Sequence, residues 1–109
     1  MESGSPRILQ MMNKGYTPSQ LLDFWMCIKS IYERELSTDI IAGFPTETYE
    51  DINLTIDLIT KLQPKNIRIH TYQNSPFIPA SKYKQLSKMQ KDEHYEIYKR
   101  ELKNITHIL

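Results

Sequence analysis

The chain has 109 residues, 39% apolar and 25% charged, a balance that suits one globular domain and excludes a disordered chain. Lys and Arg number 14 against 13 Asp and Glu, a net charge of +1, so a strongly basic nucleic-acid module is not the default reading. The charge is nevertheless uneven: residues 1–81 carry 7 basic and 9 acidic side chains, residues 82–109 carry 7 and 4.

One cysteine, Cys27, cannot by itself form an internal disulfide or a multi-cysteine metal or iron–sulfur site. Its place beside Trp25 and Ile28 predicts a small buried apolar residue. No apolar run approaches the ~18 residues of a membrane span. The start, Met1-Glu2-Ser3-Gly4-Ser5-Pro6, lacks the basic and apolar regions of a signal peptide, so the expected compartment is cytoplasmic and no membrane partner is expected.

In chain order, Ser5 as cap and Pro6 at the first helical position predict a short helix to about Asn13, broken by Asn13-Lys14-Gly15. Thr17-Pro18-Ser19-Gln20 opens a second helix with capping-box spacing. It carries Leu21, Trp25, Ile28 and Tyr32 on one stripe and is expected to end near Arg34. Leu36 to Ala42 reads as a strand bounded by Gly43 and Pro45. A third helix starts at Thr48 with Glu50 and Asp51 in its first turn, buries Ile52, Ile56 and Ile59, and stops before Pro64. Alternation of Ile67 and Ile69 with Arg68 and His70 makes Asn66 to Tyr72 a second strand. After a proline-containing loop over 74–81, Ser87 and Gln90 open a last helix, expected to hold Tyr98, Leu102, Ile105 and Leu109 on one side.

Strands alternating with helices predict parallel βαβ units joined by a right-handed crossover. Two parallel strands do not make a self-sufficient sheet, which points to a piece of a larger α/β body.

The strongest local signal is the strand-to-helix turn Asp39-Ile40-Ile41-Ala42-Gly43-Phe44-Pro45-Thr46-Glu47-Thr48. A glycine at the carboxyl end of a parallel strand lets a flat ligand approach the backbone, and such ends are where α/β folds bind ligands. The plain alternative is that Gly43 and Pro45 only shape a tight turn. Likewise, Ser3 and Ser5 stand either for ligand hydrogen bonding or for helix capping. Asp39 either faces an open interior or pairs with a base such as Arg68. His70, His94 and His107 lack ligand spacing, so no zinc site is expected. Lys82, Lys84, Lys88, Lys91, Lys99 and Lys103 read as a solvated face or as phosphate contacts, and Tyr83, Tyr95 and Tyr98 as packing.

Glu2-Ser3-Gly4-Ser5, Ile8-Leu9, Met12 to Thr17 and Ser37 to Thr48, in this order, resemble the radical S-adenosylmethionine (SAM) enzymes, most of all the methylthiotransferases. Tyr72, Pro76, Pro79, Ala80 and Lys84-Gln85-Leu86 extend the resemblance, which spans residues 2–105. It implies an α/β fold, the final βα units of a radical SAM (β/α)6 partial TIM barrel, with residues 1–83 in the core and 84–109 a helix leading towards an RNA-binding domain. It further implies SAM as cofactor, a 4Fe–4S cluster only in a complete enzyme, and tRNA adenosine or a ribosomal protein as the methylthiolated substrate. The cluster-binding CxxxCxxC loop has no counterpart here, so this chain alone is expected to be catalytically silent, with no catalytic or metal residues of its own and the other part of the barrel as a partner. By matching position, Ser3 and Ser5 fall near the ribose or methionyl end of SAM and Lys14 at its carboxylate. Gly43, Phe44 and Pro45 run along the adenine, Glu47 braces the turn, and Tyr72 flanks the adenine. The alternatives are another radical SAM enzyme, cobalamin-binding or uncharacterised, and a non-enzymatic module that pairs with a partner chain.

Overall fold

The computed structural model describes residues 2–32, 36–74 and 82–109. Seven elements follow in order: α1 (Pro6–Met11), α2 (Pro18–Tyr32), β1 (Ser37–Ala42), α3 (Tyr49–Leu62), β2 (Asn66–Thr71), α4 (Lys88–Leu102) and β3 (His107–Ile108). The result is a small α/β domain with a three-stranded sheet in the order β1-β2-β3, every pairing parallel. β1 and β2 run in register from Ser37 opposite Asn66 to Ala42 opposite Thr71.

The helix boundaries follow their caps. Ser5 accepts the Ile8 amide proton ahead of Pro6. Thr17 and Gln20 cap α2 reciprocally, as do Thr48 with Asp51 for α3 and Ser87 with Gln90 for α4. At the far end of α3, Gln63 takes a left-handed conformation just before Pro64. The Leu62 carbonyl released there accepts the Trp25 indole N–H at 3.0 Å, which fastens α2 to α3.

One face of the sheet makes the core. Thr38, Ile40 and Ala42 of β1 and Ile67 and Ile69 of β2 pack beneath Trp25 of α2, Ile52, Leu58, Ile59 and Leu62 of α3, and Tyr98 and Leu102 of α4. The opposite face carries Ser37, Asp39, Arg68 and His70, all exposed. Parallel sheets ordinarily have both faces covered, so this bare polar face is the unusual feature of the fold. A second, smaller apolar cluster of Ile8, Phe44 and Tyr72, flanked by Met11, Met12, Ile41 and Tyr83, closes the carboxyl ends of β1 and β2.

Two expectations need correction, and one alternative is decided. Cys27 is exposed, because it follows Trp25 by two residues and so lies roughly 200° around the helix from the core-facing indole. Of the two readings of Asp39, the structure has the exposed one: its side chain stands half exposed on the bare face, 3.8 Å from His70. The last helix stops at Leu102 and does not continue to Leu109. The helical spacing of Ile105 and Leu109 loses to the open edge of β2, where His107 and Ile108 pair with Asn66 and Ile67. Thr106 helps the change of direction by donating its hydroxyl to the Pro64 carbonyl at 2.7 Å. The expected end of α2 at Arg34 and the loop over 75–81, with Pro76, Pro79 and Ala80, lie outside the described residues.

Among the described residues, no helix is long and apolar enough to cross a membrane.

Gly4 rests directly on α3: a β-carbon there would lie 2.6 Å from Thr55 Cα and 2.8 Å from the Leu54 carbonyl oxygen, both backbone atoms. Gly4→Ala is therefore expected to destabilise the chain by about 2 kcal/mol or more in urea unfolding, on the scale of overpacked sites. Gly15→Ala, which would meet nothing within 4 Å, should leave the midpoint nearly unchanged.

Candidate ligand site at the strand ends

β1 ends at Ala42, and the chain turns through Gly43 and Thr46, both at positive φ (79° and 68°). At Gly43 the constraint is also spatial, because a β-carbon would lie 2.7 Å from the Lys91 side chain of α4. The turn closes on the Glu47 amide, which donates to the Phe44 carbonyl at 2.9 Å.

The Glu47 side chain has no exposed surface and is held from three sides. Oε1 accepts the Gly43 amide proton at 2.9 Å and lies 2.8 Å from His94 Nδ1. A carboxylate only accepts, so Nδ1 carries the proton of that bond. Oε2 accepts the Tyr98 hydroxyl at 2.8 Å. Burial, reinforced by the Glu47 charge, pushes the Tyr98 phenol far above its ordinary range, which keeps it a donor. Glu47 thus anchors the turn to α4.

Phe44 meets Tyr72 edge to face, with ring centroids 5.3 Å apart. Tyr72 extends the ladder past the end of β2 by donating its amide proton to the Ala42 carbonyl at 2.9 Å. Tyr72 is 7% exposed and, among the described residues, its hydroxyl has no hydrogen-bond partner, an arrangement that costs free energy unless something else satisfies the group. Burial raises this phenol as well.

On the other side of β1, the Glu2 carbonyl accepts the Ile41 amide proton at 2.9 Å, so the N-terminal segment lies alongside the strand's last residues. The Glu2 carboxylate pairs with Lys14 at 2.8 Å, and this contact raises the lysine pKa. Ser3 and Ser5 are completely buried. Ser3 Oγ accepts the Ser5 amide proton and lies 3.3 Å from Thr55 Oγ1, while Ser5 donates its hydroxyl to Asp51 at 2.6 Å. Asp51 also receives the Thr48 amide proton and the Arg7 guanidinium, which reaches on to the Thr46 hydroxyl and carbonyl. Burial alone would raise the Asp51 carboxyl, but the hydrogen bonds from Arg7, Ser5 and Thr48 outweigh it and hold it below its ordinary value.

The eight residues expected at the site therefore gather around the carboxyl end of the sheet, in different situations. Gly43, Phe44, Pro45, Glu47 and Tyr72 form the turn and the strand end. Ser3 and Ser5 lie behind β1 with their hydroxyls committed to α3, and Lys14 is held beside them through Glu2. A polar hollow of about 370 Å³ opens next to Tyr72, lined by Thr71, Gln73, Lys88, Lys91 and Asp92. A larger hollow of about 580 Å³ lies away from the strand ends, between α2 and α3. Among the described residues no group of three or more His, Cys, Asp or Glu side chains is arranged to hold a metal ion.

Five residues that organise this end of the molecule escaped the sequence reading in that role: Arg7, Asp51, Thr55, His94 and Tyr98. The four-residue step from His94 to Tyr98 does put imidazole and phenol on one helix face, and it was the available signal. Nothing in the sequence places that face against Glu47, 47 residues earlier.

Because the Asp51 pKa is depressed on folding, its contribution is full above the unfolded value near ~3.9 and is lost as pH falls through the lower folded value. Asp51→Asn should lower unfolding stability by about 1–2 kcal/mol at pH 7. Urea midpoints taken from pH 7 to pH 3 should show the gap between the two proteins narrowing below about pH 4; a constant gap would contradict this.

No family model matches the chain. Curated relatives do. It is 33% identical to a tRNA-2-methylthio-N(6)-dimethylallyladenosine synthase of Nitratiruptor sp. over 128 aligned positions, which take in 94% of this chain and 30% of that protein. The enzyme of the same name from Pelotomaculum thermopropionicum is 39% identical over 82 positions, 74% of this chain and 18% of the relative. That of Thermotoga petrophila is 44% identical over 73 positions, 66% of this chain and 16% of the relative. The chain spans less than a third of the length of each. At these identities over most of its residues, the chain is a methylthiotransferase-family sequence corresponding to one segment of those longer proteins.

Proposed function

We propose that this chain forms the closing wall of a radical SAM barrel and presents the end of that wall to SAM, in an enzyme that adds a methylthio group to tRNA adenosine. The observation that carries this reading is the bare polar sheet face beside a ligand-type strand end. Ser37, Asp39, Arg68 and His70 stand exposed on one side of a parallel sheet, as the inner face of an open barrel would, while helices cover the other side. Among the described residues β1 has no second strand beside it, and the Glu2 carbonyl meets its last turn as the end of a preceding strand would. The relatives' names support the reaction and the tRNA substrate. Residues 1–83 would belong to the core. Residues 84–109 would close it through α4 and β3 before the chain passes towards an RNA-binding part.

The fit to SAM differs among the eight residues. Tyr72 offers a buried hydroxyl with no partner among the described residues, next to the Gly43–Pro45 backbone, and suits a flat ligand with hydrogen-bonding edges. Phe44 fixes the Tyr72 ring, and Lys14 sits at the edge of the same end with its charge shared by Glu2. Ser3, Ser5 and Glu47 would act through the backbone they hold, because their side-chain oxygens are engaged inside the protein.

SAM with a 4Fe–4S cluster supplies radical chemistry; the cluster needs three thiolates, and this sequence contains one cysteine. The cluster's ligands would come from outside these 109 residues, and this chain's part is to bind and orient. Titrating SAM into the ¹⁵N-labelled chain should move the amides of Gly43, Phe44, Thr46 and Tyr72 together, with a dissociation constant of about 1 mM or weaker for so open a site. Shifts centred on the hollow between α2 and α3, or none at millimolar SAM, would contradict the assignment.

A further inference from the structure

Lys61, Lys99 and Lys103 have no carboxylate within ion-pair distance among the described residues, so position and not pairing sets one group of lysines apart. Lys14 is paired with Glu2, and Lys29 donates to the Leu62 carbonyl. Lys82, Lys84, Lys88 and Lys91 fall within ten residues of one another and, among the described residues, none has a carboxylate within ion-pair distance. Lys88 and Lys91 line the 370 Å³ hollow at the end of β2, with the Asp92 carboxylate on its rim. The Lys91 stem packs on Gly43, and its ammonium lies 5.4 Å from the centre of the Tyr72 ring. Lys82 stands 5.4 Å from the Tyr83 ring, and Tyr83 in turn packs against the Ile8, Phe44 and Tyr72 cluster. Lys88 and Lys91 at the hollow and Lys82 beside half-buried Tyr83 therefore border one side of the strand ends, with Lys84 between them in sequence and Asp92 as the carboxylate that lines the hollow, in a chain whose total charge is close to zero.

Such a local excess attracts an extended polyanion, since each phosphate neutralised releases bound counterions. An aromatic ring among the cations favours a nucleic acid over an acidic peptide, because bases stack on it. We propose that Lys82, Lys84, Lys88 and Lys91, with Tyr83, form a contact surface for the phosphate backbone of an RNA brought to the strand ends. This rests on the reading of those ends as a reaction site, and it adds which side of the opening the RNA lies against.

The test compares two triple variants of equal charge. Lys82→Gln, Lys84→Gln and Lys88→Gln remove exposed cations at the surface, and Lys61→Gln, Lys99→Gln and Lys103→Gln remove the same charge from exposed positions elsewhere. Lys91 stays, because its stem packs on the turn. Binding of fluorescein-labelled tRNA is followed by anisotropy from 25 to 200 mM salt, with circular dichroism to establish that each protein is folded. The first triple should weaken binding by about tenfold or more at the lowest salt and reduce the slope of log K against log salt by about 2 to 3, whereas the second should change binding less than about threefold. Equal losses from both triples, no tRNA binding by the unaltered chain, or equally tight binding to polyglutamate with the same lysine dependence would each overturn the proposal. SAM-dependent amide shifts are read separately, so a failed SAM site and a failed RNA surface give different results.

Discussion

The arrangement of the strand ends depends on one buried carboxylate. Glu47 leaves the turn after β1 and is received by the amide of the turn's own glycine and by two side chains of α4. An unpaired buried carboxylate would be costly, so the three donors and the acceptor are required together. This couples elements that are distant in sequence. The turn cannot keep its shape without α4, and α4 cannot approach unless residue 43 lacks a β-carbon. The Asp51 network does the same on the other side of β1, joining the N-terminal segment, the turn and the start of α3 through Ser5, Arg7 and Thr48. Two carboxylates thus clamp one turn from opposite sides.

This division explains why residues that resemble a cofactor-binding motif carry so many internal hydrogen bonds. Ser3, Ser5 and Glu47 hold the backbone, and under the proposed reading the surface left for a ligand would be the turn itself, the Phe44–Tyr72 pair and the lysines of α4. A site built this way is preorganised, because its shape is set by groups that do not touch the ligand. The family relationship gives the arrangement its context, since the chain spans less than a third of the length of these relatives.

Much of the fold was legible in the sequence because local chemistry fixed it. Ser5-Pro6, Thr17-Pro18, Thr48 with Asp51, and Ser87 with Gln90 all mark helix starts that the structure has, and the alternation at Ile67 and Ile69 marks a strand. What was not legible depended on partners far along the chain. Ile105 and Leu109 continue a helical spacing, and only the unfilled edge of β2 turns residues 107–108 into a strand. Cys27 has apolar neighbours in sequence, but its own angle on the helix turns it to solvent. At the strand ends, Gly43 and Pro45 marked a turn, but the donors that satisfy Glu47 and Asp51 come from 44 to 51 residues away in sequence, apart from the near neighbours within the turn. No spacing rule reaches that far.

The central claim is that the Glu47 carboxylate locks the Gly43 amide and so fixes the turn against α4. Hydrogen exchange of that single amide tests it. In the unaltered protein it should exchange as slowly as the paired amides of β1 and β2, and in Glu47→Gln, with Tyr98→Phe as a second disruption, it should speed up while the β2 amides stay protected. A Gly43 amide that exchanges freely in the unaltered protein, or one whose protection survives both substitutions, would contradict the account.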